Sequence, residues 1–258
     1  MLPIFLRTYG AYSCNGMFLA SIRKVTVMSP RFIVPILLVL LSGCIHSSKS
    51  VTPKGTVIIL NGTSGVGKSS IQKKLQELFE EPYLKVGIDN FVVGVLPEKY
   101  LNGTATHPEQ IWESSKSRTP DDKPIFNLSF GPDGRKIISG MHKAIAAYAH
   151  AGNNVVVDYI LYESTWLAEL VTALKDVRVY FIGIHASLDV IEQREKDRAT
   201  SPQGHARSIY DTVHAGCTYD LFIETTAISS DQAAMQIKEF IEKNPTPQAF
   251  KSLNLTNG

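Results

Sequence analysis

Cysteine is scarce in this chain, with three among 258 residues. Cys14 and Cys44 both fall in an N-terminal leader-like stretch, so Cys217 is left without an intrachain partner and a disulfide framework is excluded. Free cysteine is most often a small buried hydrophobe, and Cys217 is read that way rather than as a nucleophile. No His/Cys cluster has the spacing of a metal site. Charge of one sign is also missing, because the formal net charge is only +2. Even that is concentrated at one end: residues 1–44 carry Arg7, Arg23, Lys24 and Arg31 and no acid, and taking those four from the 26 basic residues leaves 22 against 24 acidic ones, a net −2. A domain of that charge lacks the basic stripe of a general nucleic-acid binder. No repeat is present, and the ten-residue apolar run Phe32 to Leu41 is too short for a membrane-spanning helix, which needs about 20 residues.

What is there suits one catalytic domain with appendages, since 44% hydrophobic and 19% charged residues are enough to bury a core. The chain is organised around Gly62-Thr63-Ser64-Gly65-Val66-Gly67-Lys68-Ser69, preceded by the apolar run Thr56 to Leu60. This is the G-x-x-x-x-G-K-[ST] pattern, flanked by a strand and by a helix with apolar positions at Ile71, Leu75 and Leu78. Glycines let the backbone curl with its N–H groups inward, and the helix adds the positive end of its dipole, so the loop can cradle a polyphosphate. Residues 62–70, Ser70 included, are the expected nucleotide contacts, with Lys68 on the β- and γ-phosphates and Ser69 a ligand of Mg²⁺.

The N-terminal segment reads as a targeting sequence: Arg31, the apolar run, then Leu41-Ser42-Gly43-Cys44. That ending resembles the lipobox of bacterial lipoproteins, which implies a mature N-terminus at lipidated Cys44 and membrane anchorage. Met1, Met17 and Met28 are all possible starts, and a start downstream of the lipobox would leave the protein cytoplasmic. Export and ATP use pull against each other, and the sequence leaves both compartments open.

After a linker, residues 45–54, the domain is expected over 55–243. Strands are read at 56–60, 83–89, 154–158, 177–184 and 219–224, with helices between them. Each strand is almost continuously apolar, which specifies a parallel sheet covered on both faces. The expected fold is therefore α/β, a three-layer arrangement of a five-stranded parallel sheet with helices on both faces. Residues 90–133, with Pro97, Pro108, Pro120, Pro124 and Pro132, read as a long acceptor-side insertion. Such insertions at the carboxyl end of a strand hang over the ligand crevice of open parallel sheets. Residues 244–258 read as a flexible tail.

Asp89 and Asp158 each end a strand. Asp89 is placed to take the proton of an acceptor hydroxyl, the bland alternative being a cap on the following segment. Asp158 has the position of a Walker-B-like aspartate serving Mg²⁺, with a helix cap as its alternative. Arg194, Arg198 and Arg207 bracket a loop with Pro202 and Gly204; arginines there can neutralise charge in phosphoryl transfer, although an exposed helix face predicts some of the same residues. His142 and His214 are read as structural.

Residues 55–243 resemble the chloramphenicol phosphotransferase-like proteins of the P-loop kinase superfamily. The resemblance is carried by the glycine loop into Gly67-Lys68-Ser69-Ser70, Val86-Gly87-Ile88-Asp89, Val155-Val156-Val157-Asp158, the Arg194 to Arg198 segment, and His214 through Tyr219-Asp220 to Thr225-Thr226. It implies ATP-dependent phosphorylation of a small-molecule hydroxyl, with Asp89 matching the proposed base and Thr225 lying near adenine. Lys68, Asp89, Arg194 and Arg198 are then the catalytic candidates. A nucleotide-binding lipoprotein without kinase activity and a nucleotide kinase-like enzyme remain alternatives.

Overall fold

The computed structural model describes residues 53–198 and 202–256. Among these no helix is long and apolar enough to cross a membrane. The leader and Cys44 lie outside the described residues.

Five strands form one parallel sheet in the order β2-β5-β1-β6-β7: β1 Thr56–Asn61, β2 Tyr83–Gly87, β5 Asn154–Tyr159, β6 Arg178–His185 and β7 Leu221–Glu224. The first crossover therefore steps past a strand, and β5 fills the gap between β1 and β2. Alternation within the apolar runs divides the core. On β1, Val57 and Ile59 join one cluster and Ile58 and Leu60 the other, all 0% exposed. Burial on both faces is what the continuous apolar run required, and each such side chain contributes about 1.5–3 kcal/mol.

Helices α1 (Lys68–Leu78), α6 (Leu188–Asp197), α7 (His205–Ile209) and α8 (Ser230–Lys243) cover the face of Ile58, with Ile71, Leu75, Ile191, Ala206 and Ile237 in that cluster. The other face is covered by α2 (Ile88–Val92), α4 (Pro132–His150), α5 (Ser164–Ala173) and α9 (Ala249–Thr256), through Val92, Met141, Leu170 and Phe250 among others.

Two regions differ from the sequence reading. Residues 249–256, read as part of a tail, form helix α9, with Ala249, Phe250 and Leu253 buried. Pro245 and Pro247 hide its short periodicity, and the Asp220 carboxylate accepts from Gln248 N and Ala249 N to start it. Residues 90–133 are not a plain loop: after the short α3 (Glu98–Leu101), strands β3 (Trp112–Arg118) and β4 (Pro124–Phe130) pair as an antiparallel hairpin. β3 is exposed along most of its length and shows no apolar alternation, while β4 does alternate, Phe126, Leu128 and Phe130 against exposed Asn127 and Ser129, a short signal between Pro124 and Pro132 that the reading as an insertion passed over.

The hairpin docks on the start of α7, where Phe126 N donates to Gly204 O at 3.1 Å. Gly204 has φ +87°, and a Cβ there would sit 2.3 Å from Pro124 O. Both strain and clash oppose a side chain, so Gly204→Ala is expected to cost about 1–3 kcal/mol in chemical denaturation. An unchanged denaturation midpoint would show that the hairpin does not pack against Gly204 this tightly.

Candidate active site

The loop between β1 and α1 turns through Gly65 and Gly67, whose φ values of +79° and +97° belong to the left-handed region that glycine enters without strain. Gly67 is the N-cap of α1, so the first helical N–H groups open toward the loop. Lys68 is 5% exposed, and its Nζ donates to Gly62 O at 2.7 Å and Thr63 O at 2.8 Å. It also pairs with Asp158 Oδ1 at 3.5 Å. Burial lowers the pKa of its ammonium below the ordinary lysine range, while the carboxylates of Asp158 and Asp89 pull it back up.

Asp158 sits at the carboxyl end of β5, in register with Leu60 of β1 and Gly87 of β2. Its other oxygen accepts from Ser69 Oγ at 2.5 Å. The parallel register thus joins two residues 89 apart in the chain. Gln72, which sequence reasoning did not single out, holds this geometry: its Nε2 donates to Val86 O at 2.7 Å and Val156 O at 2.8 Å, tying α1 to β2 and β5. The signal was available, because Gln72 is a polar residue 3% exposed between Ile71 and Leu75 on the apolar stripe.

Asp89 does not extend β2. It lies in the first turn of α2 and lines the same cleft, of about 380 Å³, as Ser64, Gly67, Lys68, Ser69, Asp158 and Arg198. Burial and then the Asp158 charge raise its pKa above the ordinary carboxylate range, with Lys68 opposing.

The arginines separate. Arg198 lines both this cleft and a smaller cavity of about 260 Å³ on the far side of the loop. Arg194 lines only the smaller one, where it donates to Thr225 O at 2.9 Å and Gly65 O at 3.3 Å. It braces the loop backbone there and does not reach the cleft of Asp89. Ser70 and Thr225 line the smaller cavity too, and the buried Thr225 hydroxyl lies 2.9 Å from both Val66 O and His185 O, one of which takes its proton at a time. Arg207 faces neither cavity and pairs with Glu192.

The remaining polar candidates are structural. His142 is fully buried, 2.9 Å from the Tyr159 hydroxyl, and burial lowers its pKa to about 4. His214 is 2.7 Å from the Tyr219 hydroxyl, which also accepts from Asn61 Nδ2 at 2.7 Å. Burial raises the pKa of the Cys217 thiol, which keeps it protonated.

Two carboxylates, a buried ammonium and a hydroxyl thus converge at the mouth of a glycine loop. Ser69 and Asp158 offer two hard oxygen donors side by side, which suits Mg²⁺, a metal that takes only one or two protein oxygens and completes its shell with phosphates and water. Among the described residues no group of three or more His, Cys, Asp or Glu is placed to hold a metal by itself.

Residues 55–242 match the family described as "Chloramphenicol phosphotransferase-like protein". A Mycobacterium tuberculosis protein named "Putative O-phosphotransferase" is 31% identical over 202 residues, 78% of this chain and 88% of that protein. Among solved structures, M. tuberculosis APS kinase in complex with AMPPNP and APS is 18% identical, covering 74% of this chain and 99% of its own, with a TM-score of 0.50. An unliganded sugar kinase from a Janibacter species is 16% identical, covering 75% and 97%, with a TM-score of 0.51. Those two likenesses establish the fold, and the family match together with the mycobacterial relative establishes membership. The chain belongs to the chloramphenicol phosphotransferase-like family and carries the P-loop kinase fold.

Proposed function

We propose that the protein transfers the γ-phosphoryl group of Mg-ATP to a hydroxyl of a small molecule. The observation that carries this reading is the convergence of Lys68, Ser69, Asp158 and Asp89 on one cleft. In the reaction the acceptor oxygen attacks the γ-phosphorus, the bond from that phosphorus to the β,γ-bridging oxygen breaks, ADP leaves, and the hydroxyl proton passes to Asp89. Lys68 and Arg198 offset the negative charge that spreads over the transferred group. Mg²⁺ held by Ser69 and Asp158 would neutralise β- and γ-oxygens of the nucleotide. The loop amides orient the phosphates. On the far side of the loop, the cavity lined by Arg194, Thr225, Ile228 and Ser229 is the place for the nucleoside.

The test is thermal unfolding with and without Mg-ATP, followed by phosphoryl transfer to chloramphenicol and a panel of small alcohols. At about 100 times its dissociation constant the nucleotide is expected to add about 2.7 kcal/mol of stability. An unchanged melting temperature at saturating Mg-ATP would overturn nucleotide binding. A clear rise with no turnover on any acceptor would instead identify a nucleotide-binding protein without kinase activity.

A further inference from the structure

We infer that Lys85 binds an anionic group of the acceptor, so that the molecule phosphorylated in this cleft is a small alcohol with a negative charge of its own, a carboxylate or a phosphate. This rests on the phosphotransferase reading and names the class of its acceptor.

Lys85 lies on β2, at one edge of the sheet, and its partner on β5 is Val156. Side chains paired across a sheet share a face, and every second residue along a strand returns to that face. Lys85, Gly87, Val156 and Asp158 therefore belong to the face that α1 covers. Gln72 Nε2 donates to Val86 O at 2.7 Å and Gln76 Nε2 to Tyr83 O at 2.6 Å, which holds α1 along β2. Lys85 sits between these two bonds, yet it is exposed, so its side chain leaves beside α1 and lines the cleft together with Asp89 and Asp158. The next position on that face is Gly87, where a Cβ would come within 3.3 Å of Asp158 Cβ and 3.7 Å of Asn90 Oδ1. Without that carbon the floor of the cleft stays open from Lys85 to Asp158.

Five charged side chains line the cleft, and four of them are accounted for. Lys68 is held by the loop carbonyls and Asp158, and Asp158 by Lys68 and Ser69. Asp89 meets the acceptor hydroxyl in the proposed reaction, and Arg198 stands between the two cavities. Lys85 has no hydrogen bond or ion pair with any described residue. Edge strands often carry lysine because its charge keeps other strands from pairing with them. That purpose does not require a place in the lining of a cleft shared with two carboxylates.

Sheet topology decides which ligand Lys85 meets. In the order β2-β5-β1-β6-β7, the phosphate loop follows β1 in the middle, and the cavity of Thr225 and Ile228, proposed for the nucleoside, follows β7 at one edge. Lys85 is on the opposite edge and does not line that cavity. The donor thus reaches the loop from the β7 side, and the β2 side is left to the acceptor. Asp89 and Asp158 would repel an acceptor that carries a negative charge, and an ammonium beside them offsets that repulsion. To a neutral alcohol the same lysine offers no such gain.

The test uses alcohols matched except for one charged group: glycerol, glycerate and glycerol 3-phosphate, and glucose, glucuronate and glucose 6-phosphate. With Mg-ATP, the parent is expected to phosphorylate an anionic member at least about tenfold better in kcat/KM than its neutral counterpart, the scale of one charge-assisted hydrogen bond at an exposed site. The margin should shrink as salt is raised. The carboxylate and phosphate arms identify the anion. Lys85→Gln should raise the KM of that acceptor about tenfold while the Mg-ATP KM and the melting temperature stay near the parent values, and Lys85→Glu should raise it further. A parent that uses chloramphenicol or the neutral alcohols as well as the anionic ones would overturn the inference and leave the phosphotransferase reading standing. An equal rise in the Mg-ATP KM of Lys85→Gln would also overturn it by placing the lysine on the nucleotide, and a clearly lower melting temperature would do so by making the lysine structural. A parent stabilised by Mg-ATP that phosphorylates none of these alcohols would instead overturn the phosphotransferase reading, and the inference with it.

Discussion

Lys68→Ala is expected to leave a folded protein that binds Mg-ATP at least about a hundredfold more weakly and shows no measurable turnover. The size follows from the charge: hydrogen bonds from an ammonium to phosphate oxygens contribute about 1.5–3 kcal/mol each, and more as negative charge grows in the transition state. Stability should change little, because two effects offset each other. Removing the ammonium frees Gly62 O and Thr63 O of their partner, yet it also takes away a cation that is 5% exposed and costly to bury. Lys68→Arg should fail as well, since a planar guanidinium does not fit the enclosed space of a compact ammonium. Calorimetric titration with Mg-ATP beside a melting curve separates the two outcomes. Parent-like affinity in Lys68→Ala would remove this lysine from the nucleotide site.

Asp89→Asn should lower phosphoryl transfer by about 10²–10⁴ while nucleotide affinity barely moves, because it keeps size and most hydrogen bonds and loses only the base. If Asp89 merely caps α2, the change would be almost silent, since asparagine caps about as well as aspartate. Asp89 also sets a pH dependence. With its folded pKa raised, Asp89 holds a proton in the native state at pH values where the unfolded chain has lost it, so it removes stability as pH rises from its unfolded pKa through the folded one. Above that interval it is ionised at a cost to the fold. Asp89→Asn is accordingly expected to melt slightly above the parent at pH 7 and level with it at pH 3, and kcat/KM of the parent should rise with pH through the same interval. A variant that melts below the parent at pH 7, or a rate that is flat across that interval, would contradict the proposed environment of this carboxylate.

How much of this was legible beforehand depended on the range of the interaction involved. The phosphate loop was legible because its chemistry is local: glycines at fixed spacing, one lysine and one serine, between a strand and a helix. The sheet was legible because its central strands β1, β5 and β6 are buried on both faces and read as almost continuous apolar runs, while the edge strands β2 and β7 are only partly buried. The hairpin at 112–130 was not: β4 carries a period of two in Phe126, Leu128 and Phe130, but its partner β3 is polar and mostly exposed, so one short alternating run had no second to pair with it. Helix α9 was missed because three buried side chains behind two prolines are too few to show a period.

The sequence by itself determined the glycine loop with its lysine and serine and the aspartate near the end of β5, but it read Asp89 as the end of β2, where the structure has the first turn of α2. Only the tertiary structure decided which of them meet. Strand order puts β5 between β1 and β2, and the parallel register then brings Asp158 to Ser69 and Lys68, a consequence of hydrogen bonding between strands about a hundred residues apart that no local pattern records. The same holds for the arginines, four residues apart on one charged segment: packing against Thr225 and Gly65 takes Arg194 to the far side of the loop, while Arg198 remains in the cleft. Lys85 joins the same cleft only because β2 pairs with β5 in a register that sets Gly87 beside Asp158. Contacts between distant segments are selected by the free energy of the whole packed domain, so their partners are written in no single stretch of sequence.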